Sequence, residues 1–365
     1  MMNFRNYKNL THITIPDNIT LSTNDFSNCF SKLNNLKTID FNQISVTNIA
    51  IAYDNCRSLI GPPICGDNVV DMYAAYYYCI NLTGSPVCGP NVTNMSGAYV
   101  YCNNLTGSPV CGSNVTDMTR AYDYCNRLTG NPACGPNVIN MYHAYYSCNQ
   151  LKGSPVCGNN VTNMAHAYYH CINITGSPVC GNNVTTLSST YDNCYNLTGN
   201  PVCGPNVTMM SSTYRSCNKL KGSPVCGNKV TSLANAYRYC TNLTGNPACG
   251  PNVTTMSDAY YGCTNLNGTA VCGNNVTNMS NTYFNCRNLK AGNIYFYSAN
   301  ISNVKNCFYN KNNSRRYNIR VPADSTTLNT VLINNTSSLV GANITWTKSS
   351  SYWSNTAYNI RIYTF

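Results

Sequence analysis

From residue 56 to residue 289 the apolar positions return on a fixed period of 23 residues, with no insertion between copies. In one unit they are Leu82, Val87, Val92, Met95, Ala98 and Tyr99, with Cys79 or Cys102 at the join. Gly84 with Pro86, and Gly89 with Asn91, punctuate the unit and predict a short strand over residues 86–88. Residues 95–102 carry Met, Ala or Tyr, and Cys at helical spacing, which predicts one helical or 3₁₀ turn per coil. A unit this short cannot bury its apolar side alone, so the units must stack as a solenoid. Stacking sets equivalent strands about 4.8 Å apart in a parallel sheet, and each recurring residue becomes a ladder of identical side chains.

Three ladders follow. One cysteine series runs from Cys56 to Cys286 and includes Cys79, Cys102 and Cys125. A second runs from Cys65 to Cys272 and includes Cys88, Cys111 and Cys134. Tyrosines recur from Tyr53 to Tyr283, among them Tyr76, Tyr99 and Tyr122. Outside the regular region, residues 1–55 read as irregular copies, with Leu10, Ile13, Ile15, Phe26 and Cys29, then Leu36, Ile39, Phe41, Tyr53 and Cys56. Terminal units must close the exposed end of the core, so this segment is the expected N-terminal cap. Residues 290–365 begin with a degenerate last repeat ending at Cys307. They continue as alternating strands around residues 293–297, 317–321, 343–347 and 358–363, a small β-rich cap or attachment module that holds both tryptophans, Trp346 and Trp353.

The unit C-x-x-L-x-x-x-x-V followed by V-x-x-M-x-x-A-Y-x-x-C resembles the 23-residue BspA-like leucine-rich repeat family, and L-T-H-I-T-I-P-D-N-I-T near the N-terminus is similar to that family's strand and following proline. The resemblance covers residues 7 to about 309. It implies an α/β solenoid, with a parallel β-sheet on one side and short helical or 3₁₀ turns opposite, used for adhesion and surface recognition and carrying no catalytic residues. Two features depart from it. Ser85, Ser108 and Asn131 stand where a strand would be apolar, and Pro86 and its equivalents remove a ladder N–H, so the strand must be very short.

Composition narrows the function. Charged residues make up 9% of the chain, glutamate is absent, and all eleven acids are Asp, which leaves a net charge of +11. The cations are scattered among repeat positions, so no nucleic-acid partner is expected. Lys305, Lys311, Arg315, Arg316 and Arg320 form the one local basic patch, an expected assembly contact or solvated cap. The first residues hold no apolar stretch of secretory-signal length and no segment has the length of a membrane span, so cytoplasmic synthesis without membrane insertion is expected. In that compartment the cysteines are read first as small buried hydrophobes. The second series, next to Val87 on a strand, is expected to face outward, where lateral pairs such as Cys65 with Cys88 lie within reach of a disulfide after release into an oxidising medium.

Candidate chemistry is sparse. His143, His166 and His170 form a candidate metal or pH-sensitive cluster, set against a plain exposed position that holds Ala74, Gly97, Arg120, Ser189 and Asn235 in other units. The hydroxyls of Thr93 and its equivalents are assigned to turn backbone groups. With no glutamate and four histidines, a paired-carboxylate or nucleophile–base site has almost nothing to draw on, so neither an enzyme nor a cofactor is expected. Variation between units points instead to a contact surface of Tyr77, Tyr78, Tyr101, Arg120, Tyr146 and Tyr169. Low-complexity, Asn- and Tyr-rich repeat chains of this kind look like bacteriophage virion proteins. The expected partners are other virion proteins and a host-surface glycan or protein, with homo-oligomers as a further expectation. The alternatives are a bacterial cell-surface adhesin and a self-associating structural array.

Overall fold

The computed structural model describes residues 3–15, 23–41, 45–290, 292–309, 317–323, 325–327, 347–348, 353–355 and 360–364. Two compact units divide the chain, Met1–Val184 and Thr185–Phe365. Each is a stack of 23-residue coils around a continuous core. Leu82, Val92, Met95, Ala98, Tyr99 and Cys102 are fully or almost fully buried, and so are their equivalents in the other regular coils. At the N-terminus, β1 (His12–Ile15) pairs in parallel with β2 (Thr38–Phe41). Phe4 stacks on Phe30 at 5.5 Å and Phe30 on Tyr53 at 5.5 Å, which closes that end of the aromatic column.

The second unit ends in a five-stranded sheet. Its strands are β3 (Gly292–Tyr295), β4 (Tyr317–Val321), β5 (Thr347–Lys348), β6 (Trp353–Asn355) and β7 (Ile360–Thr364), in the order β3-β4-β7-β6-β5. The β3, β4 and β7 strands are parallel, whereas β6 runs antiparallel to both β5 and β7. Thus β4 keeps the expected bounds, β6 was not foreseen, and Trp346 with residues 343–346 and 358–359 lies outside the described residues.

Regular coils differ from the expectation at both predicted elements. No strand forms over residues 86–88. The parallel ladder is instead a single bridge per coil, linking Asp71, Asn94, Asp117, Asn140 and Asn163 in the first unit and Thr186, Met209, Ser232, Thr255, Asn278 and Asn303 in the second. Pro86 is buried, while Val87 and Cys88 are both half-buried, so the expected in–out alternation there is absent. A proline in this segment supplies no N–H; strands form in the irregular end copies (β1, β2 and β3), and the coil with Ala270 at the proline position makes a single bridge, Cys272 to Phe296.

The predicted helical turn is also replaced, by a run of tandem turns. Ala98 and Cys102 donate their N–H within the coil, to Met95 and Tyr99. Met95, Gly97, Tyr99 and Tyr101 instead donate to Asp117, Thr119, Ala121 and Asp123 of the next coil. A helix would keep every amide within the coil; here alternate amides stitch one coil to the next. Two residues per coil hold the left-handed conformation that this geometry needs, at the positions of Gly97 (φ 66) and Tyr101 (φ 59). Asn94 starts the run by accepting the Ser96 N–H at 2.9 Å, an Asx turn.

Candidate functional site

The left-handed turn positions are also the variable ones. From Ala74 to Asn285 these twenty positions hold Ala, Gly, Arg, His, Ser, Asn, Asp or Tyr; the one β-branched residue at an equivalent left-handed position among the described residues is Ile51 (φ 58), in the irregular N-terminal copies. A left-handed φ crowds Cβ against the following carbonyl, and a branched Cβ aggravates that clash. Side-chain identity is otherwise unconstrained, because these side chains point away from the core, and the turn run becomes a surface on which the chain places different groups.

In the first unit three of them, Tyr78, Tyr101 and Tyr124, stack as an aromatic column that Tyr146 and Tyr169, each preceding a left-handed position, extend. Tyr78 stacks on Tyr101 with ring centroids 4.5 Å apart, and Tyr101 on Tyr124 at 4.6 Å. Tyr124 meets Tyr146 at 5.4 Å, tilted, and Tyr146 stacks on Tyr169 at 4.5 Å. Tyr77 packs against Tyr78 at 4.9 Å, and the Arg57 guanidinium lies 5.9 Å over the Tyr78 ring. The structure therefore brings the expected contact residues together and adds Tyr124, which the sequence shows at the Tyr101 position of the next unit. Neighbouring ring faces cover each other, so the column presents ring edges and phenol hydroxyls outward. Partial burial and adjacent phenols hold Tyr101 and Tyr146 above the ordinary tyrosine pKa, so both stay protonated near neutrality.

Behind this column lies a carboxylate that sequence reasoning missed. Asp123 is buried, with its Oδ2 2.7 Å from Arg120 Nε and 3.9 Å from His143 Nδ1. Burial pushes Asp123 up and outweighs the Arg120 guanidinium. His143 is pulled down to about 4 by burial, by His166 and by Arg120, and it stacks on Tyr146 at 4.6 Å as a neutral ring. His143 and His166 face each other at 4.8 Å, whereas His170 packs on Tyr169 at 6.3 Å, so the three imidazoles do not converge. Among the described residues no group of three or more His, Cys, Asp or Glu side chains is placed to hold a metal ion.

The second unit repeats the arrangement with other residues. Asp192 is buried and bonded to Arg215 Nε at 2.8 Å, and Asp258 pairs with Arg238. Arg238 also lies 4.2 Å over Tyr261, which stacks on Phe284 at 4.4 Å. Asp123, Asp192, Arg215, Arg238, Tyr261 and Phe284 share one repeat position, and charge at a position that elsewhere holds Tyr77, Val100, Tyr146 and Tyr169 was the signal available in the sequence. Of the basic patch, Lys305 is exposed on a turn, and Arg320 of β4 lies 5.7 Å over Tyr295 of β3 and 5.0 Å over Tyr363 of β7. Lys311, Arg315 and Arg316 lie outside the described residues.

Residues 2–129 and 234–361 match the BspA type leucine rich repeat region, in six copies. The chain belongs to the BspA-type leucine-rich repeat family. Comparison with curated proteins gives no match. Membership accounts for the stacked coils and for a repeat-based binding surface, and the family is in general a non-enzymatic scaffold. Within this BspA-type frame the cysteine and tyrosine ladders are structural. Cys102 Sγ donates to the Tyr76 carbonyl at 3.0 Å, and Thr93 Oγ1 to the Val70 carbonyl at 3.3 Å. Cys79, Cys125 and their series bond the same way. Cys88, Cys111 and Cys134 are half-buried and form no disulfide in the structure, so the second series does not face fully outward.

Proposed function

We propose that this chain is a non-enzymatic adhesion component of a bacteriophage virion, a fibre, tail or capsid decoration. On this reading the column Tyr78–Tyr101–Tyr124 with Tyr146 and Tyr169 presents ring edges and hydroxyls to a host-surface glycan. One observation carries the reading: side chains differ from coil to coil along the turn run, at the mostly half-buried left-handed positions and at the position of Asp123 and Tyr146, while the segment from Gly84 to Gly89 is nearly uniform. Such a strip suits recognition, since its side chains vary while the backbone of the turn run stays the same. Phenol edges and hydroxyls suit a ligand rich in hydroxyl groups, and Tyr gives a large contact area at small cost in side-chain entropy.

The test uses the full chain with washed host-cell envelopes and their extracted polysaccharide. Tyr101→Asn and Tyr124→Asn place at these turns the residue that Asn193 and Asn285 already provide, so the coil stays folded. Loss of envelope binding in the double variant supports the reading, and unchanged binding overturns it. Recovery of the chain from purified virions separates the phage assignment from a cell-surface adhesin, which would be recovered from the envelope instead.

A further inference from the structure

The second cysteine series has a geometry that packing does not require. Cys65, Cys88, Cys111, Cys134 and Cys157 occupy one repeat position in successive coils, each half-buried and reduced. Every sulfur projects over the gap towards the next coil. A methyl built on Gly89 would stand 3.1 Å from Cys65 Sγ, and one on Gly112, Gly135, Gly158 or Gly181 would stand 3.1 to 3.2 Å from the sulfur of the preceding coil. Glycine keeps that space open and leaves a backbone N–H to face the sulfur. Gly89 N–H donates to Cys65 Sγ at 3.2 Å and Gly135 N–H to Cys111 Sγ at 3.1 Å; in the second unit Gly250 N–H donates to Cys226 Sγ at 3.1 Å. Hydrogen bonds of this kind favour the thiolate, although burial outweighs them and pushes these thiols up, so they are protonated until an ion displaces the proton. Thioether sulfur adjoins the column, with Met72 Sδ 3.6 Å from Cys65 and Met141 Sδ 3.7 Å from Cys134.

We propose that this column binds soft monovalent d¹⁰ cations, Cu(I) in particular, each held between the thiolates of two successive coils. Equivalent positions in stacked parallel coils recur about every 4.8 Å, and each sulfur lies against the glycine that follows the next cysteine of the column, so sulfurs of successive coils are neighbours along it. Among the described residues no group of three or more His, Cys, Asp or Glu side chains is placed to hold a metal ion, so an ion that needs a closed cage of such donors is not served, whereas a two-coordinate ion is. Thiolates with thioether neighbours are the donor set that selects Cu(I). Each thiol that binds releases its proton to solvent, the copper keeps its oxidation state, and no electron is transferred. The first cysteine series is excluded by burial: its thiols are sealed in the core, whereas those of the second series are half-buried, although both donate to backbone carbonyls.

Reduced full-length chain is titrated without oxygen against Cu(I) held by bicinchoninate, and the native chain is alkylated with and without the metal. The expected result is withdrawal of several equivalents of Cu(I) from the chelator. Alkylation of Cys88 and Cys111 should slow roughly tenfold or more, because the reactive thiolate is occupied. A Cys88→Ser, Cys111→Ser, Cys134→Ser variant should withdraw correspondingly less copper. Unslowed alkylation of Cys88 and Cys111 overturns the proposal even where the variant fails to fold. Equal copper uptake by a folded variant overturns it as well.

Discussion

Tyr99 and Val87 share two hydrogen bonds: the phenol donates to the Val87 carbonyl at 2.7 Å and accepts the Val87 N–H at 3.2 Å. Val87 follows Pro86, in a segment whose strand pairing is lost. The buried tyrosine ladder therefore does more than fill the core, since each hydroxyl satisfies backbone groups that a paired strand would satisfy through its neighbours. The same double bond joins Tyr76 with Ile64, Tyr122 with Val110 and Tyr237 with Val225. In the coil where the segment is the strand β3, followed by Phe296, the column holds Phe308 instead, and Phe296 N–H bonds to the Arg320 carbonyl. Tyr99→Phe should cost about 1–3 kcal/mol, the penalty for leaving buried polar groups unpaired. Urea unfolding measures the loss, and hydrogen exchange should localise it at Val87. A change within error would show that water replaces the hydroxyl.

Left-handed turns make a second, steric prediction. Tyr101→Val should destabilise the first unit by roughly 1–2 kcal/mol, because a branched Cβ is forced to φ near +59°. Tyr101→Asn should be close to neutral at the same site. Thermal unfolding of the two variants side by side is sufficient, and equal midpoints would contradict the backbone argument.

The buried charges predict opposite pH responses in the two units. His143 is held at about 4, below its unfolded value near 6.5, so the folded chain resists a proton that the unfolded chain accepts. Stability from this group is present above pH 6.5 and is lost as pH falls towards 4. Asp192 is raised to about 6, above its unfolded value near 3.9, so its contribution is full below pH 3.9 and is lost as pH rises through 6. Asp123, also raised, opposes His143 within the same cluster, and single variants separate them. Relative to the parent chain, His143→Asn should gain stability between pH 7.5 and pH 5, and Asp192→Asn should lose it. Parallel pH profiles for the two variants would refute the assignment.

Arg215 pairs with the buried Asp192 carboxylate of the preceding coil. Arg215→Ala should cost up to about 3 kcal/mol, the lower end for breaking a buried pair, because the guanidinium is partly solvated. Adding Asp192→Asn should recover much of that loss, since it removes the stranded charge. A double-mutant cycle in urea decides it, and simple additivity would mean that the pair is not coupled.

The 23-residue period determined the stacked coils by itself, because a unit with one apolar side has no other way to bury it. The same pattern gave the core residues Leu82, Val92, Met95, Ala98, Tyr99 and Cys102, the two cysteine series, and the contact strip of Tyr78, Tyr101, Tyr146 and Tyr169. Only the tertiary structure decided where the backbone hydrogen bonds go. Spacing cannot distinguish a helix, whose amides bond within the coil, from tandem turns whose alternate amides bond to the next coil, since both place residues 95, 98, 99 and 102 inward. Nor does spacing show that Pro86 enters the core in place of Val87, that the Tyr99 hydroxyl replaces a strand partner, or that Asp123 lies buried beside Arg120 and His143. Each of these depends on groups about 12 or 23 residues apart in sequence, or on a neighbouring coil, and proximity between coils exists only once they have stacked.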